Sequence, residues 1–123
     1  MDITFYDNAG RAVAYSEDGE HIFLFSGHAV AFIKGTSIYD YSGRHLGWFK
    51  KGWVRENAGR YVYFTEKAKG GPQRPTMERT PSKVTKQTPP AKNPPRSEPK
   101  MPEVPAAWSA ANADQFFNWY VSH

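Results

Sequence analysis

The chain has 123 residues, with ten glycines, ten prolines, no cysteine and a formal net charge of +4, enough for one small domain and a tail. The lack of cysteine excludes disulfides, thiolate metal sites and cysteine nucleophiles, and no run approaches the ~20 apolar residues of a membrane-spanning helix. Residues 1–71 carry nine Lys/Arg against eight Asp/Glu, 72–105 seven against three, and 106–123 none against one, so the basic excess belongs to the middle segment.

Residues 1–71 hold all the glycines and repeat. Gly10, Gly27, Gly43 and Gly59 are spaced by 17, 16 and 16. Three positions after them stand Val13, Val30, Leu46 and Val62, and five positions after stand Tyr15, Phe32, Trp48 and Phe64. Each copy reads as a β-hairpin of two short strands rich in β-branched and aromatic residues. Asp7-Asn8-Ala9-Gly10 suits a turn ending in a left-handed glycine, with the aspartate accepting bonds from turn amides. Further turns around Gly19, Gly35 and Gly52 join the copies into an eight-strand meander. An open meander exposes two edges, so a small closed barrel is expected. Strict alternation puts Phe5, Val13 and Tyr15 on the core face with Ile22, Val30, Phe32 and their equivalents. The opposite face then holds Tyr6, Ala14, Phe23, Ala31, Tyr39, Trp53 and Tyr63, too aromatic for an ordinary wet surface.

Residues 72–105 hold all the prolines, no aromatic residue and three large aliphatics, Met77, Met101 and Val104. Such a segment cannot bury enough apolar surface to offset its ordering entropy, so a disordered linker is expected. Polyproline II stretches would let it span up to about 100 Å at ~3.1 Å per residue. Its basic residues alternate with prolines and acids and do not cluster, which argues against a nucleic-acid partner and leaves open a peripheral membrane contact.

Residues 106–123 recover five rings: Trp108, Phe116, Phe117, Trp119 and Tyr120. Asn112 and Gln115 have capping-box spacing, which predicts a short helix with Phe116, Trp119 and Tyr120 on one face. These five residues are the candidate docking element, either for a separate protein partner or for the chain's own barrel.

The pairs Asp7/Arg11, Asp40/Arg44 and Glu56/Arg60 recur at the turns, and copy two has Leu24/His28 instead. Arg11, His28, Arg44 and Arg60 form a candidate anion-binding rim; since each arginine has its own acid, the pairs are read first as fixing hairpin register. His21, His28, His45 and His123 lack metal-ligand spacing, Ser26 and Ser42 lack a nucleophile elbow, and no glycine-rich phosphate loop precedes a helix. No catalytic residue, metal or cofactor is expected, and the chain is read as a non-enzyme.

The four glycine-centred copies, over residues 3–66, resemble the four-fold β-flower domain of bacterial proteins; the single unit is also similar to YD-type and WG-type β repeats. The resemblance implies a shallow symmetric barrel of four hairpins and implies no activity. The shape is similar to tubby-like barrels too, which a hydrophobic helix fills and which have a lipid link. The function expected is a protein-interaction or scaffolding module of the bacterial cytoplasm, since Met1-Asp2-Ile3-Thr4 does not open a secretory signal. Binding of a lipid or small hydrophobic ligand at the barrel mouth is the alternative.

Overall fold

A computed structural model describes residues 2–117. Eight antiparallel strands, β1 (Ile3–Tyr6), β2 (Ala12–Ser16), β3 (His21–Leu24), β4 (Ala29–Lys34), β5 (Ser37–Tyr39), β6 (His45–Lys50), β7 (Trp53–Glu56) and β8 (Tyr61–Phe64), close in sequence order into a barrel. Among the described residues one short helix, α1, covers Ala113–Phe117. No helix among the described residues is long and apolar enough to cross a membrane.

The four hairpin turns share one set of bonds. Gly10 N–H donates to Asp7 C=O at 2.9 Å and Asp7 N–H to Arg11 C=O at 2.9 Å, and copies two to four repeat both. Asp7 Oδ1 accepts from the amides of Ala9 and Arg11 at 2.9 and 3.0 Å, and Asp40 does the same for Ser42 and Arg44 at 3.0 Å. A short carboxylate leading the turn therefore satisfies amides that the bend removes from the ladder.

Strict alternation fails, for one local reason. In β1 and β2, Phe5 pairs with Ala14 but Tyr6 pairs with Ala12, so Val13 is an extra residue. The same bulge recurs at the equivalent places in the other three hairpins. One inserted residue sends the rest of the strand to the other face. Phe5, Ile22, Ile38 and Val54 fill the interior as read, but their cross-strand partners there are Ala14, Ala31, Gly47 and Tyr63. The small residues suit an eight-strand barrel, whose lumen holds few side chains. Tyr15, Phe32, Trp48 and Phe64, assigned to the core from periodicity, lie outside that cluster and are still at most 2 % exposed.

These outer rings form a belt. Each faces a residue of the next hairpin: Tyr15 stacks on Phe23 at 5.9 Å, Phe32 on Tyr39 at 5.7 Å, and Phe64 on Tyr6 across the closing seam at 5.4 Å. Trp48 pairs instead with Arg55.

The segment 72–105 has no helix or strand, in keeping with its composition, yet it is not a free tether. It runs around the barrel as a strap. Trp53 Nε1 donates to the carbonyls of Lys69 and Gly70, both at 3.1 Å, where the strap begins. The amides of Glu78, Gln87 and Arg96 then donate to the carbonyls of Gly10, Gly27 and Gly43 at 2.8, 2.8 and 2.9 Å. Residues 107–109 return beside β8, where Tyr61 N–H donates to Ala107 C=O and Ser109 N–H to Tyr61 C=O. Trp108 then donates its indole N–H to Gln73 C=O at 3.2 Å, so the two ends of the strap meet. Main-chain bonds, not burial of its own side chains, hold the segment in place. Its Met77 and Val84 are 45 % and 56 % exposed.

Candidate functional site

The four rim candidates sit at the hairpin turns, and Arg11, His28 and Arg44 bond locally. Arg11 Nε lies 3.3 Å from Asp7 and Arg44 Nε 3.5 Å from Asp40. The His28 ring bonds Ser26 Oγ at 2.7 Å. Arg60 is exposed, and Glu56, its expected partner, accepts the Ser109 hydroxyl. Among the described residues no group of three His, Asp or Glu side chains could hold a metal ion.

Three of the five tail rings dock on the chain's own barrel. The capping box forms as spaced: Gln115 N–H donates to Asn112 Oδ1 and Asn112 N–H to Gln115 Oε1, both at 2.9 Å. That starts α1 with Phe116 and Phe117 turned into the interior cluster, 6 % and 2 % exposed, against Tyr63 at 5.6 and 5.8 Å. A depression lined by Arg44, Asn57, Ala58, Gln115 and Phe116 places the helix at the hairpin-turn end. Trp108 lies 5.5 Å from Trp53 and 6.1 Å from Phe64. Trp119 and Tyr120 lie outside the described residues.

The strap brings cations onto the belt. Lys83 Nζ stands 4.5 Å above the Tyr15 ring, Lys86 5.3 Å above Phe23 and Lys92 4.9 Å above Phe32. A cation over a ring face is drawn by the ring quadrupole, and more so when a carboxylate holds it there. Glu17 supplies that carboxylate to Lys83 and Lys86 at 3.0 and 2.6 Å, and Glu20 pairs with Lys92. Hydrogen bonds from Lys86 and then Lys83 hold the Glu17 carboxyl below its usual range, and Glu17 in turn raises Lys86. Beside them, burial opposes ionisation of Asp18, but bonds from His21 outweigh it and keep that carboxyl low. Burial pushes the Tyr41 phenol well up, and its hydroxyl donates to Ala31 C=O at 3.1 Å.

A polar chain crosses from strap to turn. Glu98 accepts the Ser37 hydroxyl, Ser37 Oγ lies 3.0 Å from His45 Nε2, and His45 Nδ1 lies 2.7 Å from Asn57 Oδ1. Serine, histidine and an orienting amide stand in the order that activates a nucleophile. Ser37 is only 1 % exposed and its hydroxyl is committed to Glu98, so the chain serves as a latch for the strap. Sequence reasoning missed Ser37, Glu17 and Glu98 as partners of anything. The available signal was the spacing of Pro72, Pro81, Pro90 and Pro99, nine residues apart.

The barrel closes weakly at one place. β1 and β8 share a single pair, Tyr6 with Phe64, after which Thr65 N–H turns to Gly52 C=O at 2.9 Å. Beyond that pair the seam opens into a cavity of about 390 Å³, lined by Ile3, Tyr6 and Phe49 on its apolar side and by Asp2, Glu66 and Lys67 on its charged side. It lies at the opposite end from α1, beside the turn between β6 and β7.

The pattern of four hairpins, strap and capping helix has a counterpart among known families: a model of the four-fold beta flower proteins matches residues 3–117. The chain belongs to that family, and the match takes in the strap and α1 along with the barrel. Comparison with curated proteins and with solved structures finds no match.

Proposed function

We propose that the barrel is a non-enzymatic protein-interaction module that receives an extended segment of its partner along the open β1–β8 seam. The observation that carries this reading is the single-pair closure beside the cavity. A strand edge released from its neighbour presents backbone donors and acceptors, and a partner strand satisfies them while a side chain enters the adjoining hollow. The tail rings expected to meet a partner do not compete for this role: Trp108, Phe116 and Phe117 are buried or half-buried against the barrel. The test is site-directed photocrosslinking in cells with a photoreactive residue at Asp2 or Lys67, beside the cavity, and at Lys34 on another turn. A discrete protein adduct from the first two positions and none from Lys34 supports the reading. Equal labelling, or no adduct, overturns it.

The second reading, a lipid or small hydrophobic ligand, also moves to the seam, because Phe116 and Phe117 occupy the hairpin-turn end. Ile3, Tyr6 and Phe49 favour it. Native mass spectrometry of the chain taken from cells reads it out. A bound small molecule lost in Phe49→Glu, with liposome flotation separating lipid from other sources, supports this reading over the first.

A further inference from the structure

The strap is itself a repeat, and its pitch matches the barrel. Pro72, Pro81, Pro90 and Pro99 each open a nine-residue unit, with Arg74, Lys83, Lys92 and Met101 at the third position. The second and third units make the same contacts with successive hairpins, and the first shares the amide bond to its glycine. The Gln87 and Arg96 amides reach Gly27 and Gly43, and the Val84 and Asn93 amides reach the carbonyls of Phe25 and Tyr41 at 2.9 and 3.1 Å. Lys83 and Lys92 cover the equivalent rings Tyr15 and Phe32. Where the register would ask for an amide at positions 75, 102 and 105, the chain has proline, which has none to give.

We propose that the outer belt is a peptide-recognition surface, with backbone notches at Gly10, Gly27 and Gly43 and cation subsites at Tyr15 and Phe32, for an extended, proline-rich basic segment with a nine-residue pitch, and that its partner is the strap of a second copy of this chain together with the residues to 117 that follow it, exchanged with those seen in place. The chemistry is read subsite by subsite: a ring pair and an acidic side chain take the cation, and a glycine notch takes the backbone. Proline-rich segments enter such sites at low entropic cost because they are already extended. The occupant is identified by the fit of this segment to these subsites. Between its ends the strap is held by main-chain bonds and side-chain ion pairs at partly exposed positions, and Trp108, Phe116 and Phe117, which dock on the barrel beyond it, travel with it. Its hinge is Gly70-Gly71, with φ of 70° and 75° and open space around Gly70. Contacts in the exchanged form are those of the closed form, so only concentration and hinge geometry decide between them.

The chain has no cysteine, so introduced thiols are unique. Full-length Glu17→Cys and Lys86→Cys chains are prepared singly and as a double variant, then treated with a short bis-maleimide; Lys86 is exposed and Glu17 partly exposed. The double variant crosslinks within the chain if the strap lies as described. Mixed single variants should give an interchain product whose yield rises with concentration. Synthetic peptide 72–105 should lower that yield once its concentration exceeds the effective concentration of the tethered strap, which is of millimolar order for a flexible link. Ser97→Cys, which sits in a different unit, should give little with Glu17→Cys. The proposal is overturned by failure of the double variant to crosslink, by absence of interchain product up to millimolar protein, or by equal yields from Lys86→Cys and Ser97→Cys.

Discussion

A Cβ on Gly27 would stand 2.3 Å from the carbonyl oxygen of Thr85. Gly27 thus meets two requirements at once, a φ of +94° for the hairpin turn and a notch for the strap. Gly35 meets only the first: its φ is +64° and nothing lies within 4 Å of its Cβ position. Gly35→Ala should therefore cost only the left-handed backbone penalty, about 1–2 kcal/mol. Gly27→Ala should cost more in urea melts and should also deprotect the Gln87 amide in hydrogen exchange. Equal losses, with Gln87 still protected, would remove the notch from the account.

Burial of Phe117 makes the helix part of the core. At 2 % exposed and stacked on Tyr63, it packs within the interior cluster of the barrel. Phe117→Ala should destabilise the full chain by about 3–5 kcal/mol, read as a lowered thermal midpoint with loss of near-ultraviolet dichroism from Tyr63. An unchanged melt would mean that the barrel core is complete without α1.

The hairpin register was legible because glycine, carboxylate and ring recur together at one spacing, and the turns need those residue types. The faces were not, because a bulge is a single extra residue and Val13 is as good a strand residue as its neighbours. That one count exchanged Tyr15 with Ala14. The strap escaped for a different reason. Composition measures what a segment can bury of itself, and Lys83 or Gln87 buries little. What fixes them is on the barrel: the Tyr15 ring, Glu17 and the Gly27 carbonyl. The cap at Asn112 and Gln115 was readable as local chemistry, whereas the destination of Phe116 and Phe117 depends on a lumen that only the closed barrel creates.

The clamp of Glu17 on Lys83 and Lys86 should respond to pH. Its carboxyl is lowered in the folded chain, so its contribution is complete above the ordinary carboxylate value of about 4.3 and is lost as pH falls through the lower folded value. Lys86 is raised, so its contribution is complete below the ordinary lysine value of about 10.4 and is lost as pH rises through the folded one. Exchange protection at Val84 and Gln87, corrected for intrinsic rates, should hold across neutral pH and fall in acid. Glu17→Gln should show low protection throughout, and 1 M salt should weaken the native pair by screening. Protection that ignores both would assign the strap to its main-chain bonds alone.

Ser37 should govern the third strap unit without touching the second. Asn57 Nδ2 donates to the His45 carbonyl at 2.7 Å, which turns Asn57 Oδ1 toward the ring and makes His45 Nδ1 a donor. The far nitrogen, Nε2, lies 3.0 Å from Ser37 Oγ, whose one proton is donated to Glu98. Ser37→Ala cuts both bonds and leaves His45, 6 % exposed, with a buried polar atom unserved, a cost of about 1–3 kcal/mol. Arg96, whose amide holds the Gly43 carbonyl at 2.9 Å, should lose exchange protection in this variant, because Glu98 two residues on is no longer tied down. Gln87, bound at Gly27 and clamped by separate cations, should keep its protection. Ser37→Thr, which retains the hydroxyl in a strand position that favours β-branching, should restore most of the loss at Arg96. Equal deprotection of Gln87 and Arg96 would show that the strap opens as one unit and not by quarters.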